Sequence, residues 1–300
     1  MKKVESIVLE FPLTKYQVLD YPDITFSQPN GTLNNLFNLK LDLLKPNDDG
    51  LFPLVVFVTG GGFFLSPKYN YLQQRLALAE SGYVVASIEY RVIPQGKFPD
   101  ALVDVKNAIR FLKSNAKKFG IDKERVAIMG ESAGGYLAAL AATTNNCKEF
   151  EIGENLDECS CVQAAIDIYG LSDLTKVGDD FSNEIQQAHA SPASPEAIFI
   201  NGLSLFSKGG SIQDNLELAE KANPIKYISK NTPPFLLMHG DKDSLVSPSQ
   251  TKILFEALLK NKIEAQRYIV KNANHADKYW YQPEVIKIII EFLNKNLKKL

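Results

Sequence analysis

The sequence predicts an α/β protein: a mostly parallel, doubly wound sheet with an antiparallel pair at its N-terminal edge and a cap inserted before the last strands. Three observations carry this expectation. Short apolar runs rich in β-branched residues recur at 54–58, 84–88, 126–129, 164–168, 235–238 and 268–270. Helical patterns lie between or after them, at 71–81, 100–119, 132–143, 248–260 and 283–297, and alternation at this spacing builds parallel sheets with helices on both faces. Most of the runs are continuous rather than alternating, as strands covered on both sides are.

Taken in order, the first fifty residues differ from the rest. Stretches 16–26 and 36–43 alternate apolar and polar, the pattern of a leading antiparallel pair. The helix at 100–119 keeps Leu102, Val105, Ile109 and Leu112 on one face. Residues 171–232 break the rhythm, being rich in Ser, Asn, Asp, Gly and Pro with no strand–helix alternation. A connection of that length carries small helices or a function of its own. It reads as a cap over the site, within a single domain spanning 1–300.

Composition narrows the classes. Hydrophobic residues at 45% and charged residues at 23% are those of an ordinary soluble globular protein. A net charge of −2 leaves no basic footprint, so no nucleic-acid partner is expected. The apolar stretches fall short of the roughly 20 residues that span a bilayer. Met1-Lys2-Lys3 is basic, but Glu5 interrupts the apolar segment and Pro12 ends it. With no small-residue cleavage site following, no secretory leader is read and a cytoplasmic location is expected. Cys147, Cys159 and Cys161 share one polar connection without a nearby histidine. That suits neither a disulfide scaffold nor a zinc site, and they read as reduced bystander thiols. Lys117-Lys118 and Lys298-Lys299 read as solvated surface.

The chemistry is carried by Gly130-Glu131-Ser132-Ala133-Gly134, which follows an apolar run and opens a helix. Strand, sharp turn and helix with serine at the apex form a nucleophile elbow, where flanking glycines let neighbouring backbone approach. A serine hydroxyl needs a base, and the chain has three histidines. His189 stands in the cap without an obvious partner, and His239 ends an apolar strand as a structural histidine would. His275 lies in a loop after the last strand, at the carboxyl end of the sheet where chemistry collects, and is read as the base. The acid that orients it is read as Asp243, with Asp241 bracing the same loop. Thr59-Gly60-Gly61-Gly62 follows the strand at 54–58, so the amides of Gly61, Gly62 and Ala133 are the expected oxyanion hole. Glu131 reads as an ion-pair partner of Arg91 rather than a catalytic acid.

With these pieces assembled, the chain resembles α/β-hydrolases of the bacterial esterase/lipase group from about residue 35 onward. The order Ser132, Asp243, His275 is the nucleophile–acid–base order of that fold. Glu89-Tyr90-Arg91-Val92-Ile93-Pro94, Phe98-Pro99-Asp100-Ala101 and Asp104 are similar to a block in hormone-sensitive-lipase-like esterases. His-Gly-Asp-x-Asp-x-x-Val from 239 to 246, with Ala222-Asn223-Pro224-Ile225 ahead of it, resembles prolyl-oligopeptidase-like hydrolases and small carbohydrate acetyl or feruloyl esterases. The chain is placed with that second group. Two positions depart from the family: Thr59 stands where a histidine usually braces the oxyanion loop, and Ala276 replaces a glycine after the base.

The resemblance implies hydrolysis of small or short-acyl esters through an acyl-enzyme, with no metal or organic cofactor. The same triad also serves amidases, arylformamidases and small peptidases, and hydrolase folds exist as non-catalytic binding modules. Phe63 and Phe64 are expected to narrow an acyl pocket, and Trp280 to offer an aromatic shelf to substrate. A small-molecule ester is the expected partner. The residues leave open whether the chain assembles with copies of itself.

Overall fold

A computed structural model describes residues 6–32 and 34–298. The basic start at 1–3, Glu5 and Lys299 lie outside the described residues. Eight strands, β1 (Val18–Ser27), β2 (Leu39–Pro46), β3 (Phe52–Val58), β4 (Val84–Ile88), β5 (Ile121–Glu131), β6 (Ala164–Ile168), β7 (Phe235–Gly240) and β8 (Ala265–Val270), form one sheet. Their order is β1-β2-β4-β3-β5-β6-β7-β8. β1 pairs antiparallel with β2, and β2 antiparallel with β4; every later pairing is parallel.

The helices are α1 (Leu72–Glu80), α2 (Asp100–Ser114), α3 (Ala116–Phe119), α4 (Ala133–Thr143), α5 (Asn183–His189), α6 (Pro195–Asn201), α7 (Leu216–Lys221), α8 (Ser249–Lys260) and α9 (Pro283–Leu297). α2, α4 and α8 cover one face of the sheet, and α1 and α9 the other. β3 shows why its run is apolar throughout. Leu54, Val56 and Val58 face the first layer while Val55 and Phe57 face the second, so both sides of the pleat are buried and neither alternates with water.

Three elements differ from expectation. β8 is half exposed, with Tyr268 and Ile269 at 39% and 46%, because it is the sheet's outer edge with β7 on one side only. The helix read at 100–119 breaks at Asn115, whose side chain donates to the Phe111 carbonyl (2.9 Å), a local bond that competes with the helical ladder. β2 is buried at nearly every position; its charged Asp42 is sealed by Lys68 at 2.7 Å.

The segment 171–232, read as a cap, holds α5, α6 and α7 between β6 and β7. Cys159 and Cys161 are joined by a disulfide and Cys147 is a half-buried free thiol, against the reading of three free thiols. Counting cysteines anticipates staples across long loops and is blind to a bridge between near neighbours. The cysteines therefore lend no support to a location. Among the described residues no helix is long and apolar enough to cross a membrane. Lys298 is not a solvated lysine either: its ammonium lies 4.3 Å from the Tyr83 ring centroid and donates to the Ser81 carbonyl (2.7 Å).

Candidate active site

The elbow is forced by close backbone packing. β5 ends at Glu131 and α4 begins at Ala133, leaving Ser132 alone at φ 56° and ψ −125°, a conformation that L-residues rarely adopt and that active sites retain. A Cβ on Gly130 would stand 2.2 Å from the Gly134 oxygen, and one on Gly134 2.1 Å from the Val58 oxygen. Only glycine lets β3, β5 and α4 converge here. Ser132 N–H donates to the Ile168 carbonyl at the end of β6 (2.9 Å), fixing the turn against the next strand.

His275 arrives from the loop after β8. Its Nε2 lies 2.9 Å from Ser132 Oγ and its Nδ1 2.8 Å from Asp243 Oδ2. Asn274 ties this loop to the acid loop, because its Oδ1 accepts from the Ser244 amide (3.0 Å) and from the His275 amide (2.7 Å). The other Asp243 oxygen accepts from the amides of Leu245 and Val246, each at 2.9 Å. Burial by itself raises the Asp243 pKa, but bonds from His239, His275 and the Val246 amide outweigh it and hold the carboxyl well below the usual carboxylate range. Asp241 instead accepts from the Asn272 amide (2.6 Å), a loop brace.

His239 is fully buried. Its Nε2 lies 2.9 Å from the Val246 carbonyl and 3.3 Å from Asp243 Oδ2, and its Nδ1 3.0 Å from Thr251 Oγ1. It is a structural histidine, and it also holds the acid in place, a role its position in sequence did not disclose. His189 pairs with Glu196 at 2.5 Å within the cap.

At the end of β3, the amides of Gly61, Gly62 and Ala133 donate to no protein acceptor among the described residues. Gly61 and Gly62 have φ of 159° and 58°. The Gly61 carbonyl accepts from the Phe64 and Leu65 amides at 3.0 and 3.1 Å, so the loop turns back and leaves its first amides free. Thr59, standing where the family has a bracing histidine, does not take over the brace: its Oγ1 is buried without a partner among the described residues. The brace is Tyr90, whose hydroxyl donates to the Thr59 carbonyl at 2.8 Å. Tyr90 stands in the block Glu89-Tyr90-Arg91-Val92-Ile93-Pro94, where nothing in its neighbours along the chain signals this role.

Two substrate-facing expectations are corrected. Trp280 is wholly buried, edge-on to Tyr169 at 4.6 Å between centroids, with its indole N–H on the Asn274 carbonyl (2.8 Å). It supports the base loop from beneath and offers substrate no shelf. Phe63 is 3% exposed, stacked on Phe199 of α6 at 4.2 Å and edge-on to Tyr136 at 5.6 Å. It packs behind the loop after β3, and of the three aromatics only Phe64, at 40%, reaches the surface. Glu131 does not pair with Arg91, which binds Asp104 (2.9 Å) and Asp100 (3.1 Å). Glu131 is fully buried and accepts from the Tyr169 hydroxyl.

A doubly wound sheet in this strand order, with a serine elbow after β5, an acid after β7 and a histidine after β8, defines an α/β-hydrolase. The chain belongs to the BD-FAE family, whose model matches residues 41–258; the elbow and the acid fall inside that span and His275 beyond it. Among curated relatives, Esterase LipC of Mycobacterium tuberculosis is 34% identical over 69% of this chain and 48% of its own length. Isoprenylcysteine alpha-carbonyl methylesterase ICME of Arabidopsis thaliana is 30% identical over 81% of this chain and 55% of its own. The chain thus spans about half the length of the curated relatives it matches. Among solved structures, a truncated form of a carbohydrate esterase from gut microbiota superposes with a TM-score of 0.82 at 23% identity, over 95% of this chain and 98% of that one. A bifunctional GH43-CE from Bacteroides eggerthii does so with a TM-score of 0.78 at 29% identity, over 92% of this chain and 38% of that one.

Proposed function

We propose that the chain is a serine hydrolase of carboxylic esters, with Ser132 as nucleophile, His275 as base and Asp243 as its orienting acid. The observation that carries this is the continuous relay from Asp243 Oδ2 through His275 to Ser132 Oγ, at 2.8 and 2.9 Å, together with the amides of Gly61, Gly62 and Ala133, which have no protein acceptor among the described residues. Relatives named as esterases support the ester bond as the target.

In the reaction His275 takes the Ser132 proton as the oxygen attacks the ester carbonyl. The oxygen that becomes negative receives the amides of Gly61, Gly62 and Ala133. These stand free before substrate arrives, so little reorganisation is needed as charge develops. Asp243 stays ionised and stabilises the imidazolium. His275 then protonates the leaving alcohol, and water repeats the sequence to release the acid. Carbohydrate esters of small acids are the substrate class this reading favours, supported by the carbohydrate esterase named among the structural neighbours.

The test is hydrolysis of p-nitrophenyl acetate, butyrate and octanoate by the native chain and by Ser132→Ala. The variant is expected to lose about 10⁴-fold or more in kcat, with acetate preferred over octanoate. Equal inertness of both proteins, together with no labelling by a fluorophosphonate, sinks the reading in favour of a binding module.

A further inference from the structure

Glu131 sits between β5 and the nucleophile, and its surroundings do not suit a carboxylate. It is 0% exposed. One oxygen accepts from Tyr169; the other, Oε1, is buried without a partner. Gln74, on α1, lies beside it. The Gln74 amide has its orientation fixed, because its Nε2 donates to the Trp280 carbonyl at 2.8 Å. A flipped amide would put oxygen against oxygen there. Gln74 Oε1 is therefore an acceptor, and it too is buried without a partner. Two orphan acceptors lie on adjacent side chains. A proton on Glu131 removes the charge and turns one of its oxygens into a donor, where a carboxylate can only accept.

We propose that Glu131 is held as a neutral acid, a positioning residue that accepts from Tyr169 and so ties the serine elbow to the frame under the base. The frame is continuous. The Tyr169 ring lies 4.7 Å from the His275 ring and 4.6 Å from Trp280 between centroids, and Trp280 holds the Asn274 carbonyl. The titratable groups facing Glu131 are Tyr169 at the end of β6, Tyr71 ahead of α1 and Tyr281 ahead of α9. No lysine, arginine or histidine helps to hold it charged. Burial outweighs the polar contacts of Tyr169, Gln74 and Tyr71, which favour the charged form, and pushes the carboxyl up to about 8. Above that pH an anion with no cationic partner forms one residue from Ser132.

Two measurements test this. The first needs no variant and no turnover: in the wild-type chain with isotope-labelled glutamate carboxyls, NMR should show one carboxyl still protonated at neutral pH and titrating near pH 8. If every glutamate titrates below about pH 6, within the ordinary range, the proposal is overturned. The second is kinetic and rests on the ester-hydrolase reading. Wild-type kcat/KM should fall above about pH 8, whereas Glu131→Gln, a neutral isostere, should stay within about threefold of wild type at pH 7 and lose the alkaline fall. A folded Glu131→Gln that loses about 100-fold at pH 7, or keeps the alkaline fall unchanged, overturns the neutral acid. If the NMR titration succeeds while no ester is turned over, the proton assignment stands and the ester reading fails.

Discussion

A Cβ placed on Gly60 would sit 2.6 Å from the Glu131 carbonyl oxygen and 2.9 Å from Ser132 Cβ. Carbon atoms do not approach that closely, so Gly60→Ala must displace either the oxyanion loop or the elbow. Because a misplacement of about 1 Å costs about 100-fold, kcat/KM for a short ester should fall by at least that much while circular dichroism stays native. Tyr90→Phe acts more gently. It removes the donor on the Thr59 carbonyl without opening space, and a loosened hole should lower kcat about tenfold with KM little changed. At this scale the convergence of Ser132, Asp243 and His275 was legible in the sequence because the elbow is a local motif and the loops after the last strands contain few candidates. Tyr90 and Gln74 were not, since each acts only through a bond to residues 31 and 206 positions away. Trp280 misled for a related reason: an aromatic after the base reads the same whether it faces substrate or core.

Helix α4 carries the elbow at one end and a buried cation at the other. Lys106 of α2, fully buried, donates to the Thr144 carbonyl that caps α4 (3.1 Å), to Glu151 (3.0 Å) and to Ser160 (3.0 Å). An ammonium at a helix C-terminus is well placed against the helix dipole. Arg110 adds a second contact to Glu151. Glu151→Gln leaves Lys106 buried and short of its counter-charge, and should cost about 2–3 kcal/mol in urea unfolding. Burial alone raises the Glu151 pKa, but Lys106, Ser160 and Arg110 outweigh it and lower the carboxyl below its ordinary value. Its stabilisation is therefore complete above the unfolded-state pKa and lost as pH falls through the folded one. On acidification, Tm should drop more steeply for wild type than for Glu151→Gln. The helical pattern disclosed α2 by its apolar face alone, and gave no hint that its charged residues are interior too.

Across the whole molecule, the site is assembled from loops after β5, β7 and β8, so it exists only while the β8 edge is paired. The edge strand is the half-exposed one, and local opening is drawn from such low-stability regions. Activity should therefore disappear at a lower urea concentration than the far-ultraviolet dichroism of the sheet; coincident transitions would show instead that β8 unfolds with the core. The strands at β3, β4 and β6 were legible because both faces of each are buried and the apolar run is unbroken. β8 was read as equally buried because strand order, which makes it an edge, leaves no mark in a short apolar run. The stack of Phe199 on Phe63 has a consequence for descent. Phe199 belongs to the cap yet forms the rear wall of the oxyanion loop, and it also meets Phe98 and Tyr136. Exchanging the 171–232 segment for one without an aromatic at position 199 would remove that wall, so residues on the segment's outer surface are free to change singly while Phe199 is not.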